Sequence, residues 1–254
     1  MNIITSISSP NYSTRNSSVN FIIIHYTELN FETALHTLCD PLSKVSSHYL
    51  IKADGTIFEL VDAMYVAWHS GQSHWKGLDK INDYSIGIEL DNLGYESFST
   101  IQMNSCINLC KMLLSIHNIS NTNILSHSDI AVDRKIDPGI FFDWSLLASH
   151  NLGMWHNINI TSPCASTIFK FGDCGKEVLS LQKNLKKIGY KIELTSIFDQ
   201  QTNYVIRSFQ SHFYPKSIER FGIDFYQDNN SKYRWDKTSN EILYHLIALY
   251  FLEN

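Results

Sequence analysis

No C-x-x-C pair occurs anywhere in the 254 residues, which argues against zinc ribbons and thioredoxin-like redox chemistry. The five cysteines, Cys39, Cys106, Cys110, Cys164 and Cys174, are odd in number. Cys106 and Cys110 sit one helical turn apart and read as buried thiols, while a Cys164–Cys174 bridge is left open. No stretch approaches the roughly 18–20 apolar residues of a membrane-spanning helix. Dense basic patches are missing too. Net charge is −5, with 8 Lys/Arg against 15 Asp/Glu in residues 1–169 and 12 against 10 in residues 170–254, so neither half suits nucleic acid. The N-terminal "MNIITSISSPNYSTRNSS" has no basic segment followed by an apolar core, hence no visible signal peptide. The H-E-x-x-H helix of many zinc peptidases is also absent.

What is present is an ordinary globular composition, long enough for one large domain or two modest ones. "FIIIHYTELN" at 21–30 is a four-residue apolar run, suited to a strand buried on both faces, that ends on His25. That histidine is either a core residue or one presented to chemistry. A helix is expected over "NFETALHTLCD", and "SSHYLIKADGTIFELV" reads as a hairpin around Asp54-Gly55. In "YSIGIELDN" Ile86, Ile88 and Leu90 alternate with Ser85, Gly87 and Glu89, which puts Glu89 on the face opposite the apolar one. Residues 100–117 have helical spacing, and "NILSHSD" is a short strand expected to end at His127. Alternating strands and helices predict an α/β fold with a mixed central sheet flanked by helices. After a weakly patterned linker, residues 173–254 predict a small three-helix domain, with Asp199 capping its second helix and a Thr238/Glu241 capping box opening its third.

Three of these features combine. His25 and His127 end buried strands, and Asp137 lies ten residues after His127 in "HSDIAVDRKIDPG". Two imidazoles and a carboxylate are a common catalytic zinc set that leaves a fourth position for water, and strand ends are where such groups converge. Lys135 alternates with Asp137 onto one side of an extended segment, beside such a site. Each residue has a plain alternative as a loop, turn or surface group; it is the spacing together with strand-end placement that favours chemistry.

The motifs "SPNYSTR", "IIIHYT", "VSSHYLIKADGTIFELV", "AWHSGQSHWKG", "NDYSIGIELDN" and "HSDIAVDRKIDPGIFFDW", in this order, resemble zinc-dependent N-acetylmuramoyl-L-alanine amidases of the amidase-2 family, AmiD type. "LQKNLKKIGY" and "FDQQTNYVIRSFQ" resemble the helical peptidoglycan-binding domain often appended to them. The resemblance implies one zinc ion on His25, His127 and Asp137, general acid/base work at Glu89 and transition-state stabilisation at Lys135. It implies a fold like that of peptidoglycan recognition proteins over residues 1–158, a linker at 159–172 and a peptidoglycan-binding-like domain at 173–254. Trp68 and His69 are expected to line a substrate groove, with packing open for Trp68, and His48 to serve structure or support. "AVD" at 131–133 departs from the Ala-Pro-Gly frequent in relatives, and "LTSIFD" lacks a glycine of the binding domain. Peptidoglycan or muropeptides are the expected partners of a monomer in the periplasm or outside the cell, the cytoplasm being the alternative. A non-catalytic peptidoglycan recognition protein is the rival reading. A fragment ending near residue 160 is expected to fold and cleave by itself.

Overall fold

The computed structural model describes residues 2–160, 166–219 and 233–251. A six-stranded sheet lies at the centre, in the order Ile3–Ile4, Ile57–Glu59, Tyr49–Ile51, Ser85–Leu90, Phe21–Tyr26 and Ile124–Ser126. The hairpin pair Tyr49–Ile51 and Ile57–Glu59 is antiparallel, and the other neighbours are parallel. The mixed α/β layer expected from the sequence is therefore present. Asp54-Gly55 makes the hairpin turn, with Gly55 at φ 86°, a backbone shape that disfavours a side chain.

The strand Phe21–Tyr26 is buried along its whole length, as its continuous apolar run requires. Its two faces go to different layers. Ile22 and Ile24, with Ile86, Ile88 and Leu90 of the next strand, pack on helix α2 (Thr100–His117) through Met103, Cys106, Leu109, Cys110 and Leu113. Phe21 and Ile23 face the other way, and His25 shares that face with them. Burial of each such large side chain stabilises the fold by about 1.5–3 kcal/mol. The remaining helices of this part are α1 (Phe31–Cys39, capped by Asn30), the short α3 (His127–Ile130) and α4 (Trp144–Ser149).

Among the described residues of the later part, the α-helices are α5 (Lys176–Ile188), α6 (Gln200–Phe213) and α7 (Lys237–Tyr250). Asp199 caps α6 as expected, but α7 is capped by Asp236, whose side chain accepts from the Ser239 N–H at 2.7 Å, and not by Thr238. Asp236 ends a strand, Arg234–Asp236, that pairs with Thr167–Lys170, so part of the expected linker is a sheet edge. The pairing considered for Cys164 and Cys174 lies outside the described residues. One apolar cluster runs through both halves: Phe21, Ile23, Leu125, Ile130, Val132 and Ile140 pack with Leu185, Tyr190, Val205, Phe209, Leu243 and Leu246. The helices thus form a third layer over the sheet face that carries His25.

Candidate active site

His25 belongs to the strand itself rather than following it, and its register partner on the adjacent parallel strand is Glu89. Their side chains stand side by side on the same face. His127 is the first residue of α3 rather than the last of a strand. A reciprocal capping box holds it there: Ser126 Oγ accepts from the Asp129 N–H, and the Asp129 carboxylate accepts from the Ser126 N–H, each at 2.9 Å. Asp137 returns to the same point, its carbonyl accepting from the Ser128 N–H at 3.0 Å.

These elements bring three atoms together. His25 Nδ1 lies 3.0 Å from His127 Nδ1, and Asp137 Oδ2 lies 2.9 Å from the first and 3.0 Å from the second. All three residues are buried. The protons can be placed from the outer partners. Ser85 Oγ donates to the Ile81 carbonyl at 2.7 Å, so it accepts from His69 Nε2 at 3.2 Å. His69 Nδ1 is then a bare lone pair and accepts from His25 Nε2 at 3.0 Å. His127 Nε2 donates to the Ser70 carbonyl at 3.2 Å. His25 and His127 therefore both turn unprotonated Nδ1 atoms towards a carboxylate oxygen, with no proton between them. Three acceptors facing one another repel unless a cation sits among them. Ligand atoms around a tetrahedral zinc ion with bonds of ~2.0–2.1 Å lie roughly 3.3 Å apart, so the donor set fits a metal ion in both chemistry and spacing.

The electrostatics agree. Burial and the neighbouring His127 lower the His25 pKa to about 4, which keeps its imidazole neutral and able to ligate at neutral pH. Glu89 is shifted the other way, well upwards, by burial first and the Asp137 charge second, with Lys135 opposing. Its Oε2 is buried without a hydrogen-bond partner.

A cavity of about 410 Å³ opens over this cluster, lined by His25, Glu89, His127, Lys135 and Asp137 together with Trp68 and His69. All seven residues singled out in the sequence thus share one cavity. Trp68 is half-buried at its wall. His69 differs from expectation, because both its ring nitrogens are engaged inside the protein, by His25 and Ser85. Gly87 makes room for that ring, since a Cβ there would come within 2.4 Å of His69 Cγ. His48 is buried below, its Nδ1 accepting from the Gly87 N–H at 3.0 Å; burial and the Arg15 charge lower its pKa to about 3. Arg134, unremarked in the sequence, clasps the carbonyls of Ser70 and Gln72 and so ties the loop after His69 to the loop before Asp137.

A family model described as N-acetylmuramoyl-L-alanine amidase (Amidase_2) matches residues 15–140, and a peptidoglycan binding domain model matches residues 174–216. The chain is 34% identical over 219 residues to N-acetylmuramoyl-L-alanine amidase AmiD of Escherichia coli K12, covering 78% of this chain and 75% of that one. Its fold matches E. coli AmiD in complex with anhydro-N-acetylmuramic acid-L-Ala-D-γ-Glu-L-Lys, at a TM-score of 0.75 and 29% identity, over 95% of this chain and 94% of the other. It also matches AmpDh3 of Pseudomonas aeruginosa in complex with anhydromuramic pentapeptide, at a TM-score of 0.74 and 28% identity, over 96% and 98%.

Proposed function

This chain belongs to the amidase-2 family and is an N-acetylmuramoyl-L-alanine amidase; on that premise we propose that His25, His127 and Asp137 hold one zinc ion per chain and that Glu89 and Lys135 serve hydrolysis of the amide joining N-acetylmuramic acid to L-alanine. The observation that carries the metal assignment is the meeting of two unprotonated imidazole nitrogens and a carboxylate oxygen within 3.0 Å of one another. A zinc ion there supplies Lewis acidity, lowering the pKa of water to ~7 and polarising an amide carbonyl.

The protein's own groups do the rest. Glu89, unpartnered and facing the cavity, accepts the proton of the attacking water and returns it to the leaving amine. Its raised pKa suits both directions of that transfer. Lys135 places a positive charge on the same cavity wall, where the carbonyl oxygen gains negative charge. His69 holds His25 in the tautomer that ligates, and this takes the place of the substrate contact expected of it. Trp68 offers its half-buried ring at the cavity wall to the sugar or peptide.

The helical part is the contact to polymeric wall, supported by its family match and by a groove of about 220 Å³ between Ile168, Phe169, Leu181, Asn184, Asn240 and Tyr244. The enzyme then works where wall material is, in the envelope or outside the cell; among the described residues no helix is long and apolar enough to cross a membrane. Mass spectrometry of a purified muropeptide digested with and without chelator tests the whole reading. Free stem peptide, lost when metal is stripped, is the expected product. A shortened peptide would make the enzyme a peptidase, and intact but bound substrate would make it a recognition protein.

A further inference from the structure

Asp129 sits two residues after His127, is fully buried, and accepts four hydrogen bonds. One comes from its own capping box, the Ser126 N–H at 2.9 Å. The other three come from the helical part: Tyr190 Oη at 2.7 Å, Ser208 Oγ at 3.1 Å and His212 Nδ1 at 2.7 Å. His212 is itself wedged flat against Trp144 of α4, with ring centroids 3.8 Å apart. One position before Ser208 on α6, Arg207 is buried, and its Nη2 donates to the carbonyls of Val132 at 2.5 Å and Lys135 at 3.2 Å. Those carbonyls belong to a tight turn whose own N–H groups, of Arg134 and Lys135, are both committed to the Ala131 carbonyl. No ion pair among the described residues involves Arg207; its Nη2 is spent on backbone oxygens, its Nε is buried without a partner, and its guanidinium carbon lies 5.4 Å from the centroid of the Tyr204 ring. Burying a guanidinium without a carboxylate is costly, and what the charge secures here is the path of residues 132–135.

We propose that Arg207 is a positioning residue for the hydrolytic reaction: with the Asp129 lock beside it, it fixes the turn that carries Lys135 over the metal site, making the helical part a component of the catalytic apparatus as well as a wall anchor. This rests on the role given above to Lys135. A helix and a short turn are joined at two points, Asp129 and the 132–135 carbonyls, and the segment from His127 to Asp137 is thereby held from outside the sheet. Displacing a catalytic group by about 1 Å can cost ~10²-fold in rate. Arg207 touches no reacting atom, so its loss should reach turnover only through the position of Lys135.

The experiment is a double-mutant cycle on the full-length, zinc-loaded enzyme with a soluble muropeptide, using Arg207→Met, Lys135→Ala and the pair, with melting temperature and bound zinc measured alongside. Arg207→Met should lower kcat by roughly 10–10²-fold, with KM and zinc content close to wild type and the protein folded. In the Lys135→Ala background the same change should add less than about two-fold, since interacting residues are not additive. Arg207→Lys, which retains one donor and the charge, should fall between. Full additivity, or a folded Arg207→Met enzyme within two-fold of wild-type kcat, overturns the proposal. If Arg207→Met does not fold, the same cycle with Arg207→Lys decides it by the same criterion. Wild-type kcat in Lys135→Ala alone would instead sink the role given to Lys135, an outcome separable from both.

Discussion

Glu89 in the cavity and Asp129 at the junction with the helices are both acidic side chains taken out of water, and their surroundings are opposite. Asp129 is encircled by four donors, and the nearby His212 and the hydroxyl of Tyr190 outweigh burial and keep its pKa below the ordinary value. Glu89 leaves Oε2 unpartnered, and burial together with the Asp137 charge drives its pKa up. The junction satisfies both oxygens of Asp129 and so holds that carboxylate in place; the cavity leaves Glu89 Oε2 unsatisfied and so retains chemical potential. A carboxylate is an anchor or a proton carrier according to the number of donors the fold supplies.

The largest test of this contrast removes the junction altogether. The sequence predicts that a fragment ending near residue 160 folds and cleaves, but the structure argues for the opposite outcome. Such a fragment strips three donors from Asp129 and uncovers Phe21, Ile23, Ile130 and Val132. Leaving one buried charge unpaired costs about 3–5 kcal/mol, a large part of a domain's total of about 5–15 kcal/mol. Residues 1–160 should therefore aggregate or lack a cooperative melt, and should cleave nothing. A monomeric, active fragment would show the two halves to be independent.

The next test probes the cavity alone. Glu89→Gln keeps the shape but cannot take a proton, so turnover should fall by roughly 10²–10⁴, with zinc content near one per chain by atomic absorption. Loss of zinc would reassign Glu89 to the metal, and wild-type turnover would leave the reaction needing another base. The smallest effect is expected at the support of the site: His69→Phe keeps the ring volume but abandons His25 Nε2, and should weaken zinc by about 10–100-fold in chelator competition. Unchanged affinity would reduce His69 to packing.

Much of the cavity was legible in the sequence because its residues carry local signals. His25 interrupts an apolar run, Glu89 falls on the polar side of an alternation, and Asp137 keeps a fixed distance from His127 before Pro-Gly. The junction had no such signal. Tyr190, Ser208 and His212 reach Asp129 from 61, 79 and 83 residues away; Tyr190 follows α5, and the other two lie on α6 among further buried polar residues such as Arg207, Gln210 and Ser211, so no period singles them out. His212 is one of 11 histidines and belongs to no motif in the sequence. The strand Thr167–Lys170 resembles linker in the sequence because it is short, mostly exposed and without alternation; its partner lies beyond α5 and α6. For the α7 cap the sequence offers both Asp236 and Thr238, and pairing of Arg234–Asp236 with Thr167–Lys170 ends the extended chain at the earlier residue.

The shared apolar cluster also sets a clock. It unites Phe21 and Ile23, made early, with Leu243, Leu246 and Ile247 of α7, made late. A ribosome emits residues in order at ~5–20 per second, and contacts between distant parts of a chain wait for the later partner. A nascent chain that already bears His25, Glu89, His127 and Asp137 still lacks the wall against which they settle. The cutting edge is sharpened last, so a chain abandoned partway through synthesis holds every reactive residue and no blade.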